Sequence, residues 1–115
     1  MTRLSVASSE GYESIPDEVT ELADLSWKLI ASPNPFNPCT DIEYTIPEDS
    51  DVKLTVYDVR GYKVRSLVSG KVSAGMYKVN WNGRDDHGRS LASGVYITQL
   101  VAGKANMSKR LTLLQ

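Results

Sequence analysis

WNGRDDHGRSLASGVYITQL, residues 81–100, holds the end of one strand, a polar crossover and the whole of another strand. The strand that leads into it is Tyr77-Lys78-Val79-Asn80-Trp81, in which Tyr77, Val79 and Trp81 share one face and Lys78 and Asn80 take the other. The chain then breaks at Asn82-Gly83 and at Asp86-His87-Gly88, where glycine supplies the positive φ that a tight reversal needs. Residues 94–100, Gly-Val-Tyr-Ile-Thr-Gln-Leu, are rich in β-branched and aromatic types and resume as a strand. Tyr96, two residues after Gly94, stands where a tyrosine near a strand start ties a sandwich corner through its hydroxyl. Two long strands joined by a polar crossover suit a sandwich core better than an active site.

Outward from this stretch the same alternation recurs. Residues 40–46 set Ile42, Tyr44 and Ile46 against Asp41, Glu43 and Thr45. Residues 51–58 repeat it through Val52, Leu54 and Val56, and 58–61 turn the chain with Gly61 at the positive-φ position. Residues 62–68 pair back, and Ser69-Gly70 ends them. Val64, Leu67 and Val68 break the period of two, which predicts a bulge or an edge strand, guarded by Lys63 and Arg65. A first strand at 27–31 precedes Ser-Pro-Asn-Pro-Phe-Asn-Pro (32–38), whose three prolines exclude a central strand. That segment reads as a stiff loop with Phe36 tucked against the sandwich end. Residues 102–105, Ala-Gly-Lys-Ala, make a hairpin turn, and 106–114 form the last strand with Met107, Leu111 and Leu113 inward. The expected fold is all-β: a seven-stranded antiparallel Ig-like or fibronectin-like β-sandwich. Ile42, Tyr44, Leu54, Val56, Val79, Trp81, Tyr96, Leu100 and Leu111 lead its core.

One domain is what 115 residues allow, and 41% hydrophobic content suits sheets with one wet face each. The net charge of −1 hides an asymmetry. Residues 1–27 carry one base against six acids, a net of −5, and residues 28–115 carry twelve bases and eight acids, a net of +4. This divides the chain into a flexible acidic linker, 1–27, and a folded module, 28–115. Within the linker, residues 5–14 are small and polar. Residues 16–25 suit a short helix, with Pro16 in its first turn and Asp17 and Glu18 at the positive end of its dipole. The near-zero net charge lacks the clustered positive field of a nucleic-acid or acidic-lipid partner. No apolar run reaches the roughly 18 residues of a membrane-spanning helix. Residues 1–7 lack the apolar core of a signal peptide. The single cysteine, Cys39, excludes an internal disulfide.

Residue types that carry chemistry are present, but their spacing favours structure. Asn82, Asp85 and Asp86 look like half of a calcium loop; Arg84 stands among them and no glutamate closes the loop. Two Asx-type turns are the better reading, and no metal is expected. His87 is the only histidine and Cys39 the only thiol, with no third group to orient them, so a turn histidine and a partly buried cysteine are expected. Alternation puts Tyr44, Tyr77, Tyr96 and Trp81 in the core and leaves Tyr57 and Tyr62 outside, a thin face for a carbohydrate platform. No catalytic, cofactor-binding or metal-binding residue is assigned, and no cofactor is expected.

Several motifs occur in a fixed order. They are Ser-Pro-Asn-Pro-Phe-Asn-Pro (32–38), Val-Tyr-Asp-Val-Arg-Gly (56–61), Ala-Gly-Met-Tyr (74–77), Trp-Asn-Gly-Arg-Asp-Asp-His-Gly-Arg (81–89), Ala-Ser-Gly-Val-Tyr (92–96) and Lys-Arg-Leu-Thr-Leu-Leu (109–114). Together they resemble the type A C-terminal sorting domain of the type IX (Por) secretion system, a family similar to the Ig-like domain of the flagellar hook-capping protein. The resemblance covers about residues 29–115. It departs at Trp81-Asn82-Gly83, where Trp-Asp-Gly is usual, and at Pro38-Cys39-Thr40, where Ser or Thr commonly follows the proline. It implies a non-catalytic export module of a larger Bacteroidetes-type secreted protein, in transit through the periplasm and then at the cell surface or extracellular. The implied partners are the type IX secretion machinery and its sortase, and in the family the module is usually cleaved. Lys109, Arg110, Leu111 and Leu113 of the closing strand are the candidate recognition residues. The other class of function is a structural or adhesive Ig-like spacer, or a hook-cap-like assembly domain, retained in the mature protein. A sorting signal is expected to be the last domain, and this chain stops on the family's closing strand.

The composition of the linker sets a first test. Limited proteolysis is expected to trim residues 1–27 and stop near Trp27, because so acidic and polar a segment does not offset its ordering entropy. Resistance in dilute solution would mean that it docks on the sandwich through Val19 and Leu22.

Overall fold

Alternating strands pack as two facing sheets in the computed structural model, which describes residues 26–115. The linker and the helix expected at 16–25 lie outside the described residues. The strands are β1 (Lys28–Ser32), β2 (Thr40–Ile46), β3 (Ser50–Asp58), β4 (Lys63–Val72), β5 (Gly75–Trp81), β6 (Gly94–Ala102) and β7 (Ala105–Leu113). One sheet has the order β1-β2-β5 and the other β4-β3-β6-β7, with every neighbouring pair antiparallel. This is the seven-stranded sandwich that the alternation predicts.

Period-two patterning places one side of each strand between the sheets. In the smaller sheet Leu29, Tyr44 and Tyr77 lie in register, with the two tyrosine rings stacked at 5.3 Å. Opposite them Val52, Leu54 and Val56 of β3, Leu100 and Ala102 of β6, and Leu111 and Leu113 of β7 are buried. Val79, expected in the core, is only half-buried, as is Tyr77. Both belong to β5, which among the described residues is an edge strand with a neighbour on one side alone, so they pack against the core without being enclosed by it.

The irregular pattern of β4 is resolved as both an edge and a bulged strand. Its register with β3 slips twice, passing over Leu67 between Val68 and Ser66, and over Val64 between Arg65 and Lys63. Each slip lets the skipped side chain, Val64 or Leu67, pack against the core. The strand does not end at Ser69-Gly70. Ser50, Asp51, Val52 and Lys53 of β3 still offer partners to Val72, Lys71, Gly70 and Ser69, so the ladder runs on to Val72.

One corner device occurs twice. Tyr96 Oη donates to the carbonyl of Ala92 at 2.7 Å, and Tyr77 Oη donates to that of Ser73 at 2.6 Å. Each tyrosine reaches four residues back across a glycine, Gly94 or Gly75, and pins the start of its strand.

Trp81 closes the sandwich end. It is fully buried, with Phe36 of the proline loop tilted against it at 5.5 Å and Tyr96 edge-on at 5.7 Å. Its indole Nε1 donates to the carbonyl of Arg84 at 3.0 Å, so its one polar atom is satisfied. Replacing Trp81 with alanine is expected to cost about 3–5 kcal/mol in urea unfolding, a large part of the roughly 5–15 kcal/mol that holds a domain together. A loss below about 1 kcal/mol would show that the ring does not anchor this end.

Candidate functional site

The crossover between β5 and β6 is where the sequence concentrates carboxylates, and the structure shows what they do. Asp85 is nearly buried. Its Oδ1 accepts the backbone N–H of His87 and of Arg89, each at 2.9 Å, and its Oδ2 accepts Arg89 Nε at 2.9 Å. Its own backbone closes the same turn, donating to the Arg89 carbonyl and accepting from Gly88 N, both at 3.0 Å. Asn82 Oδ1 accepts Arg84 N at 3.2 Å. Asp86 faces β4, donating its N–H to the Val64 carbonyl at 2.9 Å and accepting Ser66 N on Oδ1 at 3.0 Å. Arg65 Nη1 supports this contact by donating to the Asp85 carbonyl at 3.3 Å. The oxygens that resembled half of a calcium loop are thus turned onto N–H donors, forming Asx turns and a cap on the β4 edge. Among the described residues no three His, Cys, Asp or Glu side chains group so as to hold a metal ion.

Gly83 allows this loop to pack. Its φ is +72°, and a Cβ there would lie 3.1 Å from the Pro38 carbonyl and 3.3 Å from Leu113 Cδ1. A side chain at this position therefore meets both a strained backbone and a closed space. His87 is exposed, and Cys39, expected to be partly buried, is exposed as well; no hydrogen bond links imidazole or thiol to an orienting group among the described residues. Tyr62 is exposed beneath the Arg60 guanidinium at 4.8 Å, and Tyr57 is half-buried.

The four candidate recognition residues divide by burial and not by the pleat, since Lys109 shares a face with Leu111 and Leu113 and Arg110 takes the other. Leu111 and Leu113 are fully buried, whereas Lys109 and Arg110 are exposed, so a partner of the folded domain meets only the two cations. The end of β7 is covered by the proline loop. Asn34 Nδ2 donates to the Arg110 carbonyl at 2.8 Å and Asn34 Oδ1 accepts Thr112 N at 3.0 Å. Phe36 N donates to the Thr112 carbonyl at 2.9 Å, and Leu114 N donates to the Phe36 carbonyl at 2.8 Å. Thr40 Oγ1 anchors that loop from β2, donating to the Pro33 carbonyl at 2.7 Å.

A charge signal in this region is legible from sequence alone, though the motifs do not draw attention to it. Residues 87–115 hold four bases, Arg89, Lys104, Lys109 and Arg110, and no acid. Among the described residues Lys104, Lys109 and Arg110 form no ion pair, while Arg89 is held by Asp85. Among the described residues the positive charge of the β6–β7 hairpin is therefore uncompensated at short range.

The FlgD Ig-like domain family matches residues 39–106. Dimeric latent PorU from Porphyromonas gingivalis superposes with a TM-score of 0.64 at 19% identity, over 76% of this chain and 9% of PorU. PorZ, a surface component of the type-IX secretion system of the same organism, gives 0.52 at 21% identity over 87% of this chain and 13% of PorZ. FlgD from P. aeruginosa gives 0.51 at 20% identity, over 76% of this chain and 73% of that one. The chain thus spans only a small part of PorU and PorZ, and the likeness at these identities is one of fold. No curated protein matches the chain. Among the described residues no helix is long and apolar enough to cross a membrane.

The crossover carries its own pH test. The Arg89 backbone N–H, followed by the His87 N–H and the Arg89 side chain, holds the Asp85 carboxyl below the usual carboxylate range, against the opposing effect of desolvation. A depressed folded-state pKa contributes stability that is present above the unfolded value of about 3.9 and lost as pH falls through the folded value. Asp85→Asn is therefore expected to be less stable than the parent at pH 6, with the gap narrowing as the parent's Asp85 protonates. A gap that stays constant from pH 6 to pH 2 would sink this account of the turn.

Proposed function

The chain belongs to the family of FlgD Ig-like domains, which are non-enzymatic, and from that premise we propose that it is an export module read by its folded surface. In this reading it directs a larger secreted protein across the outer membrane by type IX secretion, passing through the periplasm to the cell surface or the medium. Residues 1–27 are the acidic linker between cargo and module. The secretion machinery and its sortase are the partners, and no residue of the module does chemistry.

The observation that carries the reading is the division within β7. Leu111 and Leu113 lock the strand into the core while Lys109 and Arg110 stand on its exposed edge, so a receptor can engage the strand without unfolding the domain. The ordered motif set from 32 to 114 and the shared sandwich of PorZ, itself a type-IX component, support the same reading. Fold alone does not assign a role, because Ig-like sandwiches host many. A second reading, an assembly or spacer domain retained in the mature protein, is favoured by one observation: most of the matched FlgD chain superposes on this fold.

The experiment is a fusion of residues 1–115 to the C-terminus of a periplasmic reporter, expressed in a bacterium that carries type IX secretion. The reporter is expected at the surface or in the medium with the parent module, and in the periplasm when Lys109→Glu and Arg110→Glu are combined. Both residues are exposed, so the doubly substituted domain keeps its core. A reporter that stays in the periplasm with the parent module, or leaves equally well without any module, would favour the spacer.

A further inference from the structure

The edges of the four-stranded sheet are closed at one end of the sandwich and unequal at the other. On β4 the crossover loop occupies Val64 O and Ser66 N, and two bulges with Gly70 at φ +138° disturb the rest of the strand. On β7 the proline loop occupies Arg110 O, Thr112 N, Thr112 O and Leu114 N. Thr112 therefore turns both backbone groups away from β6, and in an antiparallel ladder Arg110, Ser108 and Asn106 do the same. The two-residue turn at Gly103 and Lys104 fixes the same parity, because Ala102 and Ala105 flank it as partners. Among the described residues the N–H and C=O of Asn106 and Ser108 and the N–H of Arg110 have no partner, which leaves a regular edge of about 14 Å. β1 runs nearby in the facing sheet but makes no ladder with β7.

Charge separates this edge from the other regular one. On β5, Lys78 lies 3.9 Å from Glu43, and Asn80 donates to Asp41 at 2.9 Å, so that flank is balanced. On β7, Lys109 and Arg110 project from opposite faces of one strand, and Lys104 stands at its turn, all without an acidic partner among the described residues. Cations on an edge disfavour pairing with a second copy of the same edge, where like charges would meet. An acidic strand reverses that sign on both faces at once.

We infer that the outer edge of β7 from Asn106 to Arg110 is a docking site for an acidic, extended segment of a partner protein, which adds to the sheet as a further strand. Backbone hydrogen bonds hold such a segment, and Lys109, Arg110 and Lys104 select its charge. The inference rests on the export reading for its setting, and it names how the partner would grip the module.

The test uses the full chain and a capped nine-residue peptide that alternates threonine and glutamate. Saturable binding is expected, with slowed hydrogen exchange at the amides of Asn106, Ser108 and Arg110. The combined Lys109→Glu and Arg110→Glu variant is expected to bind at least about tenfold more weakly, since two rim charges are reversed. N-methylation of the peptide's ladder-facing amides is expected to abolish binding. No saturable binding, protection on β5 instead, or indifference to N-methylation would each overturn the inference. So would equal binding of a threonine–lysine peptide. Deprotection of the same amides on removing residues 1–25 would show that the chain's own acidic segment occupies the edge, and concentration-dependent protection without peptide would show a second copy there. Either outcome overturns the separate partner. A parent module that binds the peptide but exports no reporter refutes the export reading alone, and one that exports without binding refutes this inference alone.

Discussion

The indole of Trp81 makes the core and the crossover loop a single packing problem. A ring of that size is stable in the interior only if its faces are covered and its one N–H is paired. Phe36 and Tyr96 pack against it from a different loop and a different sheet, and the carbonyl of Arg84 pairs the N–H from the start of the crossover. Three segments, the proline loop, the start of the crossover and β6, are therefore positioned by one side chain. Gly83 completes the arrangement, since the chain can leave Trp81 and turn beneath Pro38 and Leu113 only where no Cβ intervenes. The loops at this end are held by the same contacts that hold the core.

The same loops manage the edges. A sandwich of two open sheets exposes four edge strands, each a template for unwanted pairing. The crossover meets β4 through Asp86, the proline loop meets the end of β7 through Asn34 and Phe36, and β1 is only five residues long. Among the described residues, what remains open on β7 carries the exposed cations Lys109 and Arg110, with Met107 half-buried against the core. In physical terms that edge discriminates by charge: it repels its own copy and attracts an extended acidic chain.

The carboxylates of the crossover show how residue type can suggest one chemistry and geometry another. Aspartate and asparagine are common in cation loops and in Asx turns for the same reason, a short side chain that carries an oxygen close to the backbone. The direction of those oxygens decides between the two uses. Asp85 accepts three N–H donors from residues two and four positions on, and Asp86 caps a neighbouring strand. Asp58 does similar work in the β3–β4 hairpin, accepting the N–H groups of Arg60 and Tyr62 on one oxygen and the Arg60 guanidinium on the other. These aspartates shape turns, and the donors that hold them are supplied by the chain itself.

Much of this was legible in the order of residues. Strict alternation marked β2 and β3, the prolines of 33–38 marked a loop, and Gly94 with Tyr96 marked a corner, because each signal is local and acts over a few residues. The broken period at Val64, Leu67 and Val68 was enough to place a bulged edge. Other features were not readable in this way. Val79 alternates as well as Trp81 does, yet it is half-buried because β5 ends the sheet; β4 continues past Gly70 because β3 is long enough to pair with it. Lys109, Arg110, Leu111 and Leu113 form one short motif; alternation turns Leu111 and Leu113 inward, but it puts Lys109 on the same face and so does not show that Lys109 is exposed. Pairing with β6 sets Lys109 on the face of the two leucines, yet the leucines alone are enclosed between the sheets, and Lys109 and Arg110 are both exposed. Which strands become neighbours, and which backbone groups are left over at an edge, depends on contacts between residues dozens of positions apart, and local periodicity carries no information about those.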